Sequence, residues 1–592
     1  MPEIQFKGKE FVFNHHLSVP YRPLLVDKNK SIGTGNINEN LIINGDNLHA
    51  LKALMPMYAG KIDCIFIDPP YNTGNEKWAY NDNVNSPMIN EWLGSNPVNK
   101  DDMLRHDKWL AMMYPRLKLL NELLAEDGSL WMTLDDNEVH RARMLMDEIF
   151  GDSAFVASIA WQARYSVSND ASISNSHNYV LVYSKAPEAW KKLRNEIERN
   201  DKQAKQYSNS DDDPNGPWRA IPWDAPNERE NLSYPIITKA GTTKYPPKGR
   251  CWSREESQWL ELVESGLAYF GKNGDGAPSY KKYLKDAETV VPTTWWPHEL
   301  SGHTDESSKE LSAFNLGVSF ETPKPVRLLQ RILGIATQPD SIILDSFAGS
   351  GTTAHAVLQA NQKDNGYRKF ILVECEKYAD ELTAERVRKV INGYSFNGSQ
   401  KEILHTESIN FSSLKKADKI LGMIDSIENL EGHRFDKIKK EIKDGTLTVF
   451  GEKSVLEQVD GIGGTFTYCT LGEPIDIDKI LTGENLPEYK AIGSWLFHTA
   501  TGEALNVANI KEHEFYLGES NSYFVWLIYK PELEFLKSRD SALTLAFAEK
   551  IANNKNKKHL VFAPAKFVPN KSLLPLGVEY APLPFALYRV EK

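Results

Sequence analysis

The chain of 592 residues is poor in cysteine, has no long apolar run and carries no excess of basic residues. Its four cysteines, Cys64, Cys251, Cys375 and Cys469, lie far apart without a CxxC pair, so neither a disulfide framework nor a metal site is predicted. No run of about 18 apolar residues is present to span a bilayer. The N-terminus also lacks the basic-then-apolar pattern of a secretory signal. We therefore expect a cytoplasmic protein without a membrane partner.

The charge balance limits how the chain can meet nucleic acid. Lys and Arg number 69 against 80 Asp and Glu, a net charge of -11. Any nucleic-acid contact must therefore come from local basic surfaces and not from the overall field. The composition, with 41% hydrophobic and 25% charged residues, is that of a globular protein. The length is too great for one hydrophobic core and indicates two or three domains.

Two blocks of the sequence alternate strand and helix patterns, and an irregular block separates them. The first block covers 41–155 and the second 320–400. Such alternation predicts an α/β fold with a mostly parallel sheet covered on both faces, here discontinuous in sequence. The remaining segments are an N-terminal arm (1–40), a turn-rich insertion (156–319) and a C-terminal domain (401–592) of mixed helical and strand patterns.

A glycine-rich turn follows a clear strand in the second block. It runs from Asp345 through Gly349 and Gly351 to Thr352, and a helix pattern comes next. Glycines at the carboxyl end of a strand let the backbone approach a ligand closely. No Lys follows the last glycine as a triphosphate loop requires, and only GxG of the dinucleotide fingerprint GxGxxG is present. What remains is either a ligand turn, with Glu374 at the end of the next strand able to bind a ribose, or a plain tight turn.

The second motif is Asp68-Pro69-Pro70-Tyr71, at the end of a buried strand. Consecutive prolines remove backbone donors and keep the preceding carbonyls out of a helix start. The Asp68 carboxylate and a carbonyl then offer two acceptors to one amino group, and Tyr71 offers a ring face to a planar base. A strand-ending turn with an exposed tyrosine is the alternative.

Together, FAGSG and DPPY resemble the motifs of amino-group DNA methyltransferases that use S-adenosyl-L-methionine, and DPPY resembles their adenine-N6 form. The order, DPPY first and an insertion between, resembles the permuted class. The further segments DPPYNTGN, GSLWMTLDD and TTWWPHELSGH before FETPKP are similar to the modification subunit of type III restriction-modification systems. The resemblance implies a Rossmann-like methyltransferase core with circularly permuted motif order, an inserted target-recognition domain and an α+β C-terminal domain.

The resemblance also implies roles for individual residues. Asp68, Pro69, Pro70 and Tyr71 would act on a flipped adenine, with no need for a metal. Residues implied to bind S-adenosyl-L-methionine are Asp46, Phe320, Lys324, Pro325, Asp345, Phe347, Gly349, Gly351, Thr352 and Glu374. Two alternatives stay open, because Glu376 competes with Glu374 for the ribose and Asp46 is equally well explained as a helix cap.

The insertion is the predicted DNA reader. Residues 185–285 contain 18 Lys and Arg against 15 Asp and Glu, a mild basic excess on an acidic chain. Basic and aromatic residues cluster in one turn-rich stretch and are predicted to contact duplex DNA: Lys239, Lys244, Tyr245, Lys248 and Arg250. For any single lysine, a solvated loop is the competing explanation.

The predicted function is site-specific methylation of adenine N6 in duplex DNA. A type III modification subunit implies a homodimer and a helicase-nuclease restriction subunit as a partner. The alternatives are a solitary methyltransferase, a catalytically silent DNA-binding subunit and, more remotely, an enzyme that methylates RNA or protein. The recognition sequence cannot be read from an irregular insertion.

Overall fold

The computed structural model describes residues 3–73, 104–167, 171–199, 205–209, 211–287, 289–318, 320–409, 416–443, 445–475, 486–552 and 556–583. The chain divides into two compact units. The larger unit combines 1–194 with 294–592, and the smaller unit is 195–293. The smaller unit falls inside the predicted insertion 156–319, whose boundaries remain a prediction.

A ten-stranded mixed sheet forms the centre of the larger unit. In chain order its strands are β1 (Leu24–Ile32), β2 (Leu41–Asn44), β3 (Ile62–Ile67), β4 (Leu124–Leu134), β5 (Phe155–Trp161), β6 (Asn178–Tyr183), β7 (Trp295–Trp296), β8 (Ile342–Asp345), β9 (Lys369–Glu374) and β10 (Phe466–Leu471). Their order across the sheet is β1-β10-β2-β9-β8-β3-β4-β6-β5-β7. The six strands from β10 to β4 in this order are mutually parallel.

The two blocks of the sequence meet at the middle of this sheet. Strand β8 pairs with β3 in parallel, with Ile343 opposite Cys64 and Leu344 opposite Ile65. Parallel neighbours bring their carboxyl ends to the same edge, which is where ligands bind in open α/β sheets. The turn after Asp345 and the turn that begins at Asp68 are therefore side by side. The predicted α/β class is confirmed.

Apolar strands and amphipathic helices make the core. In β2 and β3, Leu41, Ile43, Ile62, Ile65 and Ile67 have no exposed surface, and full burial of such a side chain contributes about 1.5–3 kcal/mol. Helices packed with the sheet are Asn47–Tyr58, Arg105–Leu123, Val139–Phe150, Val326–Ala336, Thr352–Asp364 and Glu385–Asn392. Further helices of the larger unit are Lys9–Val12, His15–Ser18, Pro187–Leu193, His298–Ser301 and Thr304–Ala313. Within the described ranges, no helix is both long and apolar enough to cross a membrane.

The C-terminal part mixes helices and strands. A three-stranded antiparallel sheet of Gly393–Ser408, Lys437–Lys443 and Thr446–Asp460 packs with the helix Ala417–Glu431. Beyond β10, a four-stranded sheet contains Tyr516–Glu519, Tyr523–Leu527, Lys558–Ala563 and Val578–Pro582. Its helices are Tyr489–Thr501, Leu533–Lys537, Leu545–Ile551 and Asn570–Leu573, and a short pair joins Ala542–Leu543 to Ala565–Lys566.

The smaller unit has short strands around a tryptophan-rich core. Its three-stranded sheet contains Trp218–Pro222, Ala268–Tyr269 and Ser279–Tyr283, and its helix is Glu256–Glu264. Three two-stranded pairs join Ile197–Glu198 to Thr289–Val290, Asp224–Pro226 to Arg250–Trp252, and Ile236–Ile237 to Thr243–Lys244. Each large aromatic side chain buries a large area. A few of them can therefore form a core where the strands are too short to contribute many aliphatic side chains.

Candidate active site

One cavity of about 850 Å³ opens at the carboxyl edge of β3 and β8. Both predicted motifs line it, with residues from the two blocks of the sequence facing each other. The predicted residues on its wall are Asp68, Pro69, Pro70, Tyr71, Phe320, Lys324, Asp345, Phe347, Gly349, Thr352 and Glu374. A single cavity therefore joins the glycine-rich turn to the Asp-Pro-Pro-Tyr turn.

The Asp68 carboxylate is held through both of its oxygens. The Thr133 hydroxyl in β4 donates to Asp68 Oδ1 at 2.5 Å, and the Lys324 ammonium donates to Oδ2. Thr133 is fully buried, whereas the Asp68 side chain keeps 21% of its surface exposed toward the cavity. Asp68 is thus fixed in orientation and still reachable.

Buried polar contacts fix the turn that follows Asp68. The Trp109 indole N–H donates to the Pro70 carbonyl at 2.7 Å, so that this carbonyl is engaged with the protein. Asn72 adopts a left-handed φ of 59°, and its buried amide donates to the Arg105 carbonyl at 3.1 Å and to Glu138. These contacts stabilise a conformation that a non-glycine residue rarely adopts. Gly74 and Asn75, from the segment DPPYNTGN, lie outside the described residues.

The glycine-rich turn is left-handed at two residues. Gly349 has a φ of +49° and Gly351 a φ of +76°. A Cβ on Gly349 would lie 3.0 Å from Phe320 Cζ, and one on Gly351 would lie 3.0 Å from the Thr383 carbonyl oxygen. The turn therefore needs glycine for both conformation and space. Phe320 packs on the turn and meets Tyr378 edge-on, with ring centroids 5.7 Å apart.

Asp345 lies beneath this turn as a buried acid. It is 2% exposed, and its carboxylate accepts hydrogen bonds from Phe347 N at 3.0 Å and Thr353 Oγ1 at 2.5 Å. Burial raises the pKa of Asp345 to about 7, against the opposing effect of these two hydrogen bonds. The acid is thus partly protonated in the folded protein near neutral pH.

This raised pKa predicts a pH-dependent stability. Between about pH 4 and pH 7, Asp345 is protonated in the folded state and ionised in the unfolded state. Its contribution to the free energy of unfolding should therefore fall as pH rises through that window. Asp345→Asn resembles the protonated acid and lacks this dependence. We expect the free energy of unfolding of wild type, relative to Asp345→Asn, to decrease by on the order of a few kcal/mol from pH 4 to pH 8. Urea titrations of both proteins at several pH values measure this difference in the free energy of unfolding. An increase would show that the ionised carboxylate is the stabilised form.

The two candidate acids for ribose binding differ in position. Glu374 ends β9, is 6% exposed, and accepts hydrogen bonds from Gly349 N at 2.8 Å and Glu376 N at 3.0 Å. Burial raises its pKa. Glu376 is exposed, although it also lines the cavity. Glu374 is therefore the acid that is built into the glycine-rich turn.

A buried arginine that belongs to no sequence motif supports the turn from behind. Arg386 is 1% exposed; its Nη1 donates to Ser350 Oγ at 3.0 Å and Thr352 Oγ1 at 2.9 Å. Its Nη2 lies 3.3 Å from His355 Nδ1. Burial, together with the Arg386 charge, lowers the pKa of His355 to about 3, so that this ring is neutral and can accept from the guanidinium.

Three of the residues predicted for the cofactor do not line the cavity: Asp46, Pro325 and Gly351. Asp46 caps the helix Asn47–Tyr58 by accepting from Leu48 N and His49 N, and it pairs with Arg116 at 3.4 Å. Asp46 was explained either as a cofactor contact or as a helix cap, and these hydrogen bonds support the helix cap. Pro325 is the residue before the helix Val326–Ala336.

The predicted DNA contacts all lie in the smaller unit, and two of them are engaged in ion pairs. Lys244 Nζ lies 3.4 Å from Asp275, and Arg250 pairs with Asp224. Lys239, Tyr245 and Lys248 are exposed, Tyr245 with 63% of its surface.

Comparison with known proteins identifies the family of the chain. The family model described as DNA methylase matches residues 62–385, more than half of the chain. The type III restriction-modification StyLTI Mod subunit of Salmonella typhimurium is 32% identical over 419 residues, which are 66% of this chain and 62% of that relative. The type III EcoPI Mod subunit of Escherichia phage P1 is 28% identical over 76% of this chain and 78% of its own. The type II methyltransferase M.KpnI of Klebsiella pneumoniae is 30% identical over 59% of this chain and 84% of its own.

The matched region begins at the first residue of β3 and ends at Glu385, the first residue of the helix Glu385–Asn392. It therefore contains the Asp-Pro-Pro-Tyr turn, the glycine-rich turn and the cavity that both of them line. The chain belongs to the DNA methylase family.

Proposed function

We propose that the chain transfers the methyl group of S-adenosyl-L-methionine to N6 of an adenine flipped out of duplex DNA, as the modification subunit of a type III restriction-modification system acting in the cytoplasm. The observation that carries the proposal is the single cavity lined by Asp68–Tyr71 on one side and by Gly349 and Glu374 on the other. The type III assignment is supported by the Mod-subunit relatives, although the alignment to the first of them spans 62% of that relative.

The cavity fits the cofactor. Its volume of about 850 Å³ lies within the range of small-molecule sites. Gly349 has no Cβ, so that the backbone of the turn stays accessible to a ligand. Glu374 supplies a carboxylate that can bind a ribose diol. The rings of Phe320 and Phe347 form an apolar part of the cavity wall. When bound, the cofactor supplies a methyl group activated by a sulfonium.

Asp68 and the Pro69 carbonyl would receive the target amine. A base in a duplex must leave the stack at a cost of a few kcal/mol, which stacking on Tyr71 would partly offset. The Trp109 indole engages the Pro70 carbonyl, and Pro69 lines the cavity. We therefore assign one amine hydrogen to the Pro69 carbonyl and the other to Asp68. Two acceptors would draw the nitrogen toward tetrahedral geometry and aim its lone pair at the methyl group. The N–C bond would form as the S–C bond breaks, and the methylated nitrogen would then release one proton to solvent.

Orientation and charge would then provide the rate enhancement. A fixed near-attack geometry removes much of the entropic barrier, and the Asp68 carboxylate stabilises positive charge that develops on the amine nitrogen. The Thr133 hydroxyl holds the carboxylate in place from the buried side.

The unit 195–293 is proposed to read the DNA sequence. Lys239, Tyr245 and Lys248 are exposed and are its best candidates for phosphate and groove contacts. Lys244 and Arg250, which pair with acids, would instead support the fold of that unit. Affinity for DNA should fall steeply as salt rises.

Tritium transfer from labelled cofactor to duplex DNA tests the proposed reaction. We expect label in DNA, recovered as N6-methyladenine after digestion to nucleosides. Label in N4-methylcytosine would overturn the adenine assignment. Label in RNA or protein alone would overturn the substrate class, and absence of transfer by a folded, cofactor-binding protein would indicate a silent DNA-binding subunit.

A solitary methyltransferase is the second candidate, because M.KpnI, a type II methyltransferase, aligns over 84% of its length. Affinity purification of the chain from its native host separates the two. Co-purification of a helicase-nuclease subunit with a homodimer of this chain is expected for a type III system. A homodimer or monomer recovered alone, with methylation on both strands of its site, would favour the solitary enzyme.

A further inference from the structure

The Lys324 ammonium occupies the place that a flipped base would need. It donates to Asp68 Oδ2 and lies 5.1 Å from the centroid of the Tyr71 ring. The first contact uses an acceptor proposed for the target amine. The second puts a cation at the distance from Tyr71 at which stacked rings place their centroids, roughly 4.5–7 Å. The Lys324 side chain is only 10% exposed although Lys324 lines the cavity, so that the side chain is packed within the site.

The backbone of Lys324 is fixed while its side chain is long and flexible. The Thr352 hydroxyl donates to the Lys324 carbonyl at 3.1 Å, and Thr352 in turn accepts from the buried Arg386. The ammonium lies at the end of a four-carbon stem with rotatable bonds. Its position can therefore change without any movement of the glycine-rich turn.

Chemistry also requires the ammonium to leave. Methyl transfer to an amine develops positive charge on nitrogen beside Asp68, and a second positive charge on the same carboxylate opposes it. Asp68 can stabilise the transition state fully only after Lys324 has moved away.

We propose that Lys324 is a placeholder for the target amine: its ammonium occupies Asp68 and the face of Tyr71 until an adenine enters and displaces it. This inference rests on the proposed function, because it takes adenine as the occupant of the Asp68 site. Lys324 is a positioning residue in this account. It keeps the acceptor oriented, and it makes base capture depend on a competitor that only a well-placed amine can replace.

The test uses full-length protein without cofactor and duplex DNA that contains the methylated site, with 2-aminopurine next to the target adenine. The target adenine keeps its N6 amine, and fluorescence of the neighbouring analogue rises when that adenine leaves the stack. Because Lys324→Met removes the competitor, we expect about a tenfold higher ratio of captured to stacked base than in wild type. Lys324→Arg keeps a cation and should stay near wild type. Lys309→Met, an exposed lysine in the helix Thr304–Ala313, is the matched control.

Two results would overturn the placeholder role. The first is an unchanged or lower fluorescence ratio in Lys324→Met, in protein that melts cooperatively and binds cofactor as wild type does. The second is a loss of kcat in Lys324→Met without any fall in the KM for DNA. Failure of the proposed function is recognised separately, since wild type would then transfer no methyl group to adenine whatever Lys324→Met does to the fluorescence.

Discussion

Asp68→Ala is expected to lower the rate of methyl transfer by at least about a thousandfold while cofactor affinity stays within a few-fold of wild type. The substitution removes the acceptor that orients the amine and the charge that stabilises the transition state. It leaves intact the glycine-rich turn with its contacts to Glu374 and Arg386. Single-turnover transfer of labelled methyl, together with calorimetric titration of the cofactor, measures both effects.

Asp68→Asn is the matched control for this experiment. The amide keeps the shape and one acceptor oxygen but loses the charge, so that its rate should lie between those of Asp68→Ala and wild type. A thermal melt checks that Lys324, deprived of its partner, does not unfold the protein. A folded Asp68→Ala protein with near-normal transfer would contradict the proposed role of Asp68.

Gly351→Val is expected to weaken cofactor binding by roughly a hundredfold, equivalent to about 2–3 kcal/mol. A β-branched residue is a genuine outlier at a φ of +76°, and its Cβ would press on the Thr383 carbonyl oxygen at 3.0 Å. The turn must shift, and the Gly349 N–H would then lose its hydrogen bond to the Glu374 carboxylate. Equilibrium titration with the cofactor is the measurement.

Gly334→Val provides the comparison. Gly334 lies in the helix Val326–Ala336, has no positive φ and has open space around its Cβ position. Valine there should leave cofactor affinity unchanged and alter stability by only a few tenths of a kcal/mol. Equal loss of affinity in both variants would mean that the Gly351 conformation is not what the cofactor requires.

Local patterns were sufficient for the elements that hold the site. The strand Leu41–Asn44 and the helix Asn47–Tyr58 lie in the block 41–155, for which alternating strands and helices were predicted. Each is a complete apolar pattern bounded by a turn or a cap. The two motifs meet because the structure places β3 and β8 as parallel neighbours, which share their carboxyl edge. Local patterns do not show every irregularity: the last regular α-helix of the block 320–400 begins only at Glu385, after a wider turn over Asp380–Ala384.

Contacts between distant parts of the chain could not be predicted in this way. Strand β7 is only two residues long, Trp295–Trp296, and is defined by its pairing with Ala160 and Trp161. Strand β10, from the C-terminal part, joins the central sheet between β1 and β2. Likewise Trp109 and Arg386 belong to no motif, and Thr133, inside the segment GSLWMTLDD, had no predicted role. Each becomes part of the site only through a hydrogen bond to a residue far away in sequence.

The Lys324 side chain shows the same limit. The resemblance implied that Lys324 binds the cofactor, and Lys324 does line the cavity. Its ammonium also contacts Asp68 and the Tyr71 ring, a pairing across 256 residues of sequence that no local pattern encodes. The roles assigned to the site residues stay predictions until the variants are measured.

Mapping of modified bases in DNA from a host that expresses the chain tests the central claim most directly. The account predicts N6-methyladenine at one recurring sequence, on one strand of that sequence only, and no modification in a host that expresses Asp68→Ala. Modified cytosine in place of adenine, or unmodified DNA in a host that contains the folded wild-type protein, would contradict it.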